Sequence, residues 1–338
     1  MNSVVVAPAW LGDAVMAQVL VARIAARWPG EGILWFAPPS TAPLGERLPG
    51  IDDTLVLPVG HGEIALRRRW QAGRALRARG LGRAFVLPGS FKAALAPRFA
   101  GVPERIGYRK EGRSILLTDA RPLDTVALPR MVDRFVALAD VPGSEVPPQA
   151  PRLRADQARA AGLREALGLV GERPVLALCP GAAYGSAKRW PAGHYAALAK
   201  RALARGEAVW LFGGPQEREV TARIRADCDA VASLHDLAGR TSLLDAIDLL
   251  SLADRVVSND SGLMHVAAAL GRPLLALYGS TTPAFTPPLD EGARVLERAL
   301  DCRPCFARTC PLGHRDCLRG ISVDEVDARL PALAERCA

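Results

Sequence analysis

Residues 3–26, Ser3-Val-Val-Val-Ala7-Pro8-Ala-Trp10-Leu-Gly12-Asp13-Ala-Val15-Met-Ala-Gln-Val19-Leu-Val-Ala22-Arg-Ile-Ala-Ala26, decide the fold class. A β-branched apolar run ends at Pro8, which reads as a short strand. Glycine 12 permits a tight turn. From Asp13 onward Val15, Val19, Ala22 and Ala26 recur at helical spacing, so a helix follows. Strand, turn and helix recur downstream. Ile33–Ala37, Thr54–Pro58 and Arg83–Leu87 read as further strands, with a basic helix over Arg67–Arg79. Alternation of this kind predicts an α/β fold with a parallel sheet covered by helices on both faces.

The stretch 141–156 is rich in proline and lacks periodicity, so the passage between two domains is expected there. A second alternating series begins with the apolar strand Val175–Cys179. It continues through a helix at His194–Arg205, a strand at Ala208–Phe212 and a helix at Glu217–Asp227. Then come a helix at Leu243–Ala253, a strand at Arg255–Ser258, a helix at Gly262–Leu270 and a strand at Leu274–Tyr278. A closing helix spans Val323–Arg336. At roughly 100–200 residues per domain, 338 residues suit two domains. The expected divisions are 1–150, 151–322 and a terminal segment 323–338. Two Rossmann-like domains facing a cleft would bind ligands beyond the carboxyl ends of their strands. That rule selects Pro8–Asp13, Pro180–Trp190, Gly213–Glu217 and Asn259–His265.

Hydrophobic residues make up 49% and charged residues 23%, which argues against disorder, and the net charge is +8. The charge is concentrated: residues 60–115 hold thirteen arginines and lysines against three glutamates. Such a window is either a solvated face or a dock for an acidic partner. No run approaches the ~20 apolar residues of a membrane span, and the start lacks the pattern of a signal peptide, so a cytoplasmic location is expected. Neither a helix-turn-helix nor an aromatic stacking platform supports nucleic-acid binding.

Each selected loop allows two readings. Asp13 is an N-cap or a general base at a strand's carboxyl end. The loop Pro180-Gly-Ala182-Ala183-Tyr-Gly-Ser-Ala-Lys188-Arg189-Trp190-Pro191 offers small residues, two cations and a helix start, which suits an anion. In Ser258-Asn-Asp260-Ser261-Gly262-Leu263-Met264-His265, polar residues either cap a helix or present its first amides to a diphosphate, and His265 is a ligand contact or a core histidine. Gly213 and Glu217 fit a base or ribose contact, or a plain turn. The G-x-G-x-x-G fingerprint is absent after the first strand, which disfavours a nicotinamide enzyme. Finally Cys302, Cys305, Cys310 and Cys317, with His314 among them, suggest a structural zinc, a labile disulfide or buried thiols.

The stretches APAWLGDAVMAQ, LPVGHGE, LPGSFKAAL, PGAAYGSAKRWP, LFGGPQE, NDSGLMHVAAALGRPLLALYGSTTP and CRPCFARTCPLGHRDCL, in this order along nearly the whole chain, resemble glycosyltransferase family 9. The resemblance implies a GT-B fold whose last helix crosses back to the N-terminal domain. It also implies inverting transfer of a heptose from ADP-heptose to the lipopolysaccharide inner core, without a metal or other cofactor in the active site. The PGSFKAAL stretch favours transfer to the first heptose of heptosyl-Kdo2-lipid A. By the same resemblance Asp13 is the base, and Lys188 contacts the donor diphosphate. Arg189, Ala182, Ala183, Gly213, Glu217 and residues 260–265 complete the donor site. Trp10, Gly12, His61, Ser90 and Lys92, with Arg67, Arg68 and Arg69 of the basic window, are candidates for the acceptor. Work on a lipid acceptor implies a peripheral position on the anionic cytoplasmic face of the inner membrane. The nearest alternatives are transfer of the first heptose and sugar 2-epimerisation on the same scaffold.

Overall fold

The computed structural model describes residues 2–60, 62–144, 149–169, 171, 173–228 and 231–330. The chain divides into two compact units, Met1–Leu153 and Arg154–Ala338. Among the described residues no helix is long and apolar enough to cross a membrane.

In the first unit the strands are β1 (Asn2–Val6), β2 (Ile33–Ala37), β3 (Asp53–Val56), β4 (Leu81–Val86), β5 (Glu104–Tyr108) and β6 (Asp119–Arg121). They form one parallel sheet in the order β3-β2-β1-β4-β5-β6. The register sets Val5 opposite Trp35 on one side and Phe85 on the other. All three side chains are fully buried. Around the sheet lie α1 (Leu11–Met16), α2 (Gln18–Arg27), α3 (Leu66–Arg77), α4 (Leu95–Ala100) and α5 (Met131–Ala137). The single helix expected from Asp13 is thus two. The break falls at Ala17, beside Gln18, a buried amide that accepts a hydrogen bond from the Arg152 amide at 2.9 Å.

The second unit repeats the plan. Its strands are β7 (Val175–Cys179), β8 (Ala208–Leu211), β9 (Leu234–Asp236), β10 (Arg255–Asn259), β11 (Leu274–Leu277) and β12 (Ala293–Leu296). The order β12-β11-β10-β7-β8-β9 is that of the first sheet. Its helices are α6 (Gln157–Ala166), α7 (Ala192–Ala204), α8 (Arg218–Ala226), α9 (Leu243–Leu250), α10 (Gly262–Ala269), α11 (Asp316–Arg319) and α12 (Val323–Arg329). Strands covered on both faces become continuous apolar runs, and β2, β7, β8 and β11 are buried at every position. Burial of each large side chain in these runs stabilises by ~1.5–3 kcal/mol.

Helix α12 belongs to the second unit: Val326 and Leu330 lie in its core, and Asp327 pairs with Arg205 at 2.8 Å. The remainder of the expected closing helix, and its return to the first unit, lie outside the described residues.

Candidate active site

A parallel sheet ordered 3-2-1-4-5-6 has one point where successive connections leave in opposite directions, and the crevice there takes ligands. In the second unit this point lies between β7 and β10. The loops that follow these strands are 180–191 and 260–261, which the sequence had singled out. The two loops are bound together by buried polar groups. Asn259, fully enclosed, donates to the Pro180 carbonyl at 2.7 Å and accepts from the Trp190 amide at 3.0 Å and the Tyr195 hydroxyl at 3.1 Å. Trp190 also donates to the Ile321 carbonyl at 2.9 Å.

The chemistry of the crevice centres on Asp260. Its Oδ2 lies 2.6 Å from Lys188 Nζ and also accepts the Thr281 hydroxyl. The pair is shielded, with side-chain exposures of 13% for Lys188 and 3% for Asp260. Desolvating two charges is costly, and here the cost is met by an ion pair plus a hydroxyl donor on one carboxylate oxygen. Asp260 is therefore not the helix cap. Ser261 occupies the cap position of α10 in an extended conformation and makes no side-chain capping bond, so the first amides of that eight-residue helix are left for another acceptor.

The other donor candidates divide by environment. His265 is buried, and burial pushes its imidazole down to about 4, with Asp260 opposing and Lys188 adding to the shift. It is neutral at pH 7. Met264 is fully buried, and Leu263 and Gly262 are half-buried. Glu217 is a brace, accepting the Gly214 amide at 2.9 Å. It fills the space above Gly181, where a Cβ would stand 2.4 Å from Glu217 Cγ. Gly213 leads into the same turn. Arg189 turns back to the Ala182 carbonyl at 3.3 Å, and its buried Nε has no partner among the described residues. Ala182 is buried and Ala183 exposed.

In the first unit the corresponding crevice lies between β1 and β4. Asp13 is the third residue of α1, while Trp10, more than a third exposed, holds the cap position without a side-chain cap. Asp13 is thus a first-turn carboxylate, favoured by the helix dipole, rather than the N-cap. Gly12 precedes it, half-buried. Ser90 and Lys92 follow β4 and are half-buried. His61 lies outside the described residues.

The basic window separates into two sets. Some of its arginines fold inward. Arg69 donates to the Ile64 carbonyl at 2.6 Å, and Arg105 to the Leu116 carbonyl at 2.7 Å. Arg83 bridges Glu31 and Glu104. Arg113, enclosed at 1% exposure, donates to the carbonyls of Tyr108 and Pro88, and burial pushes it down to about 10. These are staples of the fold, which corrects Arg69 as an acceptor contact. Arg67 and Arg68 remain exposed in the first turn of α3, Arg68 paired with Glu63 at 3.1 Å. That helix has no acid in its first turn, and its cap residue Ala65 sits at φ 45° without a side-chain cap. Cations at an uncapped helix start oppose the dipole, a local misfit that an incoming anion would relieve.

The four cysteines border one small cavity together with His314 and Ala187. Among the described residues, however, no three His, Cys, Asp or Glu side chains gather to hold a metal ion, and these thiols are free. Cys305 faces solvent and Cys317 the core. His314 Nδ1 accepts from the Asp316 amide at 3.0 Å. Of the three readings of this cluster, structural zinc is therefore not supported among the described residues. The loop does meet the crevice of the second unit: the Arg308 carbonyl accepts the Ala187 amide at 3.0 Å, and Tyr184 donates to the Phe306 carbonyl at 2.6 Å. Asn259, Thr281, Tyr184 and Arg308 all fall inside stretches that the sequence made prominent, but no spacing rule marks them, because their partners lie far along the chain.

A profile of glycosyltransferase family 9 (heptosyltransferase) matches residues 69–315. Lipopolysaccharide heptosyltransferase 2 of Escherichia coli (strain K12) is 43% identical over 305 residues, which cover 88% of this chain and 88% of that protein. Lipooligosaccharide heptosyltransferase 2 of Haemophilus influenzae is 40% identical over 307 residues, again 88% of each. The chain is also similar to the solved structure of E. coli ADP-heptose lps heptosyltransferase II, with a TM-score of 0.89, 39% identity and 99% of each chain covered. Because the family profile covers well over half of the chain and a heptosyltransferase 43% identical to it aligns over 88% of its length, the chain belongs to glycosyltransferase family 9, the heptosyltransferases.

Proposed function

We propose that this chain transfers L-glycero-D-manno-heptose from ADP-heptose to the first heptose of heptosyl-Kdo2-lipid A, with inversion at the anomeric carbon and without a metal in the reaction. The observation that carries the reading is the Lys188–Asp260–Thr281 cluster beside the open amides of α10. It occurs in a chain 43% identical to a lipopolysaccharide heptosyltransferase 2.

In this reading the nucleotide sugar lies in the crevice of the second unit. The amides of residues 182–183 and 261–263 and the ammonium of Lys188 stabilise the negative charge that grows on the diphosphate as the bond from C1 breaks. Neutral His265 stands behind this group. Asp13 accepts the proton of the acceptor hydroxyl as that oxygen attacks C1, and ADP leaves from the opposite face. A base so placed contributes ~10²–10⁴-fold.

The acceptor carries Kdo carboxylates and lipid A phosphates. Arg67, Arg68 and Lys92 are proposed to meet these anions, with Trp10, Gly12 and Ser90 near the reacting sugar and His61 a further contact. Helix α3 also exposes Leu66 at 57% and Trp70 at 49%, four residues apart and so on one stripe, with Arg74 over the Trp70 ring at 5.2 Å. Apolar and aromatic side chains edged by cations suit the headgroup region of an anionic membrane. This supports a peripheral position on the cytoplasmic face of the inner membrane.

The test is a mass-spectrometric transfer assay with ADP-heptose and lipopolysaccharide that ends at the first heptose. One added heptose is expected. Transfer only to acceptors that lack the first heptose would instead assign the earlier step, and release of free epimerised sugar would assign an epimerase.

A further inference from the structure

Lys188 brings little net charge to the donor crevice, because Asp260 neutralises it at 2.6 Å. The diphosphate of a leaving nucleotide is multiply charged and calls for more than one cation. Arg189 is turned onto the Ala182 carbonyl. The cysteine-bordered loop supplies the missing charge. We propose that Arg308 is the second cation of the donor site and binds the diphosphate beside Lys188. This rests on the reading of the crevice as a nucleotide-sugar site.

The geometry holds Arg308 firmly to the phosphate loop. Its carbonyl accepts the Ala187 amide at 3.0 Å and packs so closely on Gly185 that a Cβ there would stand 2.2 Å from the oxygen. Any other residue at 185 would push the loop away. Tyr184 donates to the Phe306 carbonyl at 2.6 Å, which fixes its ring. That ring has Lys188 Nζ 4.9 Å from its centroid and the Arg308 guanidinium 5.4 Å from it. One aromatic ring thus holds both cationic groups, and of the two only Lys188 has a carboxylate on it among the described residues. Arg303 braces the loop from behind, donating to the carbonyls of Gly279 at 2.5 Å and Thr281 at 3.0 Å, so the residue that supports Asp260 belongs to the same assembly. Arg298 and Arg303 of this region are paired with Glu325 and Glu297. Exposed Arg308 has no carboxylate partner among the described residues.

Calorimetric titration of the full chain with ADP and with adenosine tests the proposal, using Arg308→Gln and Arg308→Lys after thermal melts confirm folding. Arg308→Gln is expected to weaken ADP by about tenfold or more and to flatten its salt dependence, while adenosine binding stays within about twofold. Arg308→Lys, which keeps the charge but not the planar fork, should lose less of the ADP affinity than Arg308→Gln. ADP affinity unchanged in Arg308→Gln, or an equal loss for adenosine, would overturn the assignment. Should that variant fail to fold, an ADP affinity in Arg308→Lys equal to wild type at low and high salt alike would overturn the planar-fork contact. If the unaltered protein bound no ADP, the nucleotide-sugar reading itself would fall, and this inference with it. Binding in the unaltered protein with no effect of either variant removes this inference alone.

Discussion

The two sheets share one strand order, yet their central crevices are built on different terms. Between β7 and β10, buried polar groups close on one another: Asn259 ties loop to loop, and Asp260 is held by Lys188 and Thr281. Between β1 and β4, Asp13 stands in the first turn of a six-residue helix, and the nearby cations either fold inward as staples or stand exposed at the start of α3. A small, rigid anion rewards a crevice that is prebuilt, because no reorganisation is then needed as charge develops. A large lipid-linked acceptor fits a face of long exposed side chains better. On the proposed reading one scaffold would support two kinds of recognition, and the observed difference lies in whether the polar groups are buried.

The comparison can be broken at either crevice. The largest effect is expected at Asp13. Asp13→Ala should lower kcat by ~10²–10⁴-fold while ADP still binds, as seen by turnover and calorimetry together. A near-normal rate would remove the carboxylate from the chemistry. In the second unit, Asp260→Ala leaves a buried ammonium unpaired and should cost about 3–5 kcal/mol in chemical denaturation. A loss below about 1 kcal/mol would mean that the cluster does not hold the crevice.

Acidity sharpens the same contrast. The unfolded chain binds a proton at a histidine of ordinary pKa near 6.5, whereas buried His265 resists protonation until about 4. The unfolded state therefore holds more protons in this window, and stability falls as pH drops through it, by about 2 kcal/mol at pH 5. Denaturation at pH 7 and pH 5 should show this extra loss in the wild type and not in His265→Gln. Equal losses would show that the imidazole is not shielded as described.

The smallest effects belong to the exposed face. Arg67→Gln and Arg68→Gln should each weaken binding to anionic vesicles by ~1 kcal/mol at low salt and leave stability unchanged. Arg69→Gln should do the reverse, since its guanidinium is spent on the Ile64 and Glu63 carbonyls. Equal behaviour of all three in both measurements would erase the division of the basic window.

Much of the architecture was readable before any coordinates. The central strands β1, β2, β7, β8, β10 and β11 were all anticipated, because burial on both faces makes them continuous apolar runs. Strands β5, β6, β9 and β12 were not. They lie toward sheet edges and carry charged or polar residues such as Glu104, Arg105, Asp119, Arg121, Asp236 and Arg294, which blunt an edge against further pairing and hide it from a hydrophobicity pattern. Helix α6 escaped for a similar reason, since within it only Ala160 is fully buried.

The amino-acid order alone determined the alternation of strands and helices and the small, polar loops at the strand ends, because periodicity and turn chemistry are local properties. It did not determine which charges meet. Lys188 and Asp260 are 72 residues apart, and Tyr184 reaches the carbonyl of Phe306 across 122. Those encounters, and the turning inward of Arg69 and Arg113, were decided by the packing of the sheet and its loops, since a charge pairs with whatever the tertiary fold places within a few ångströms of it.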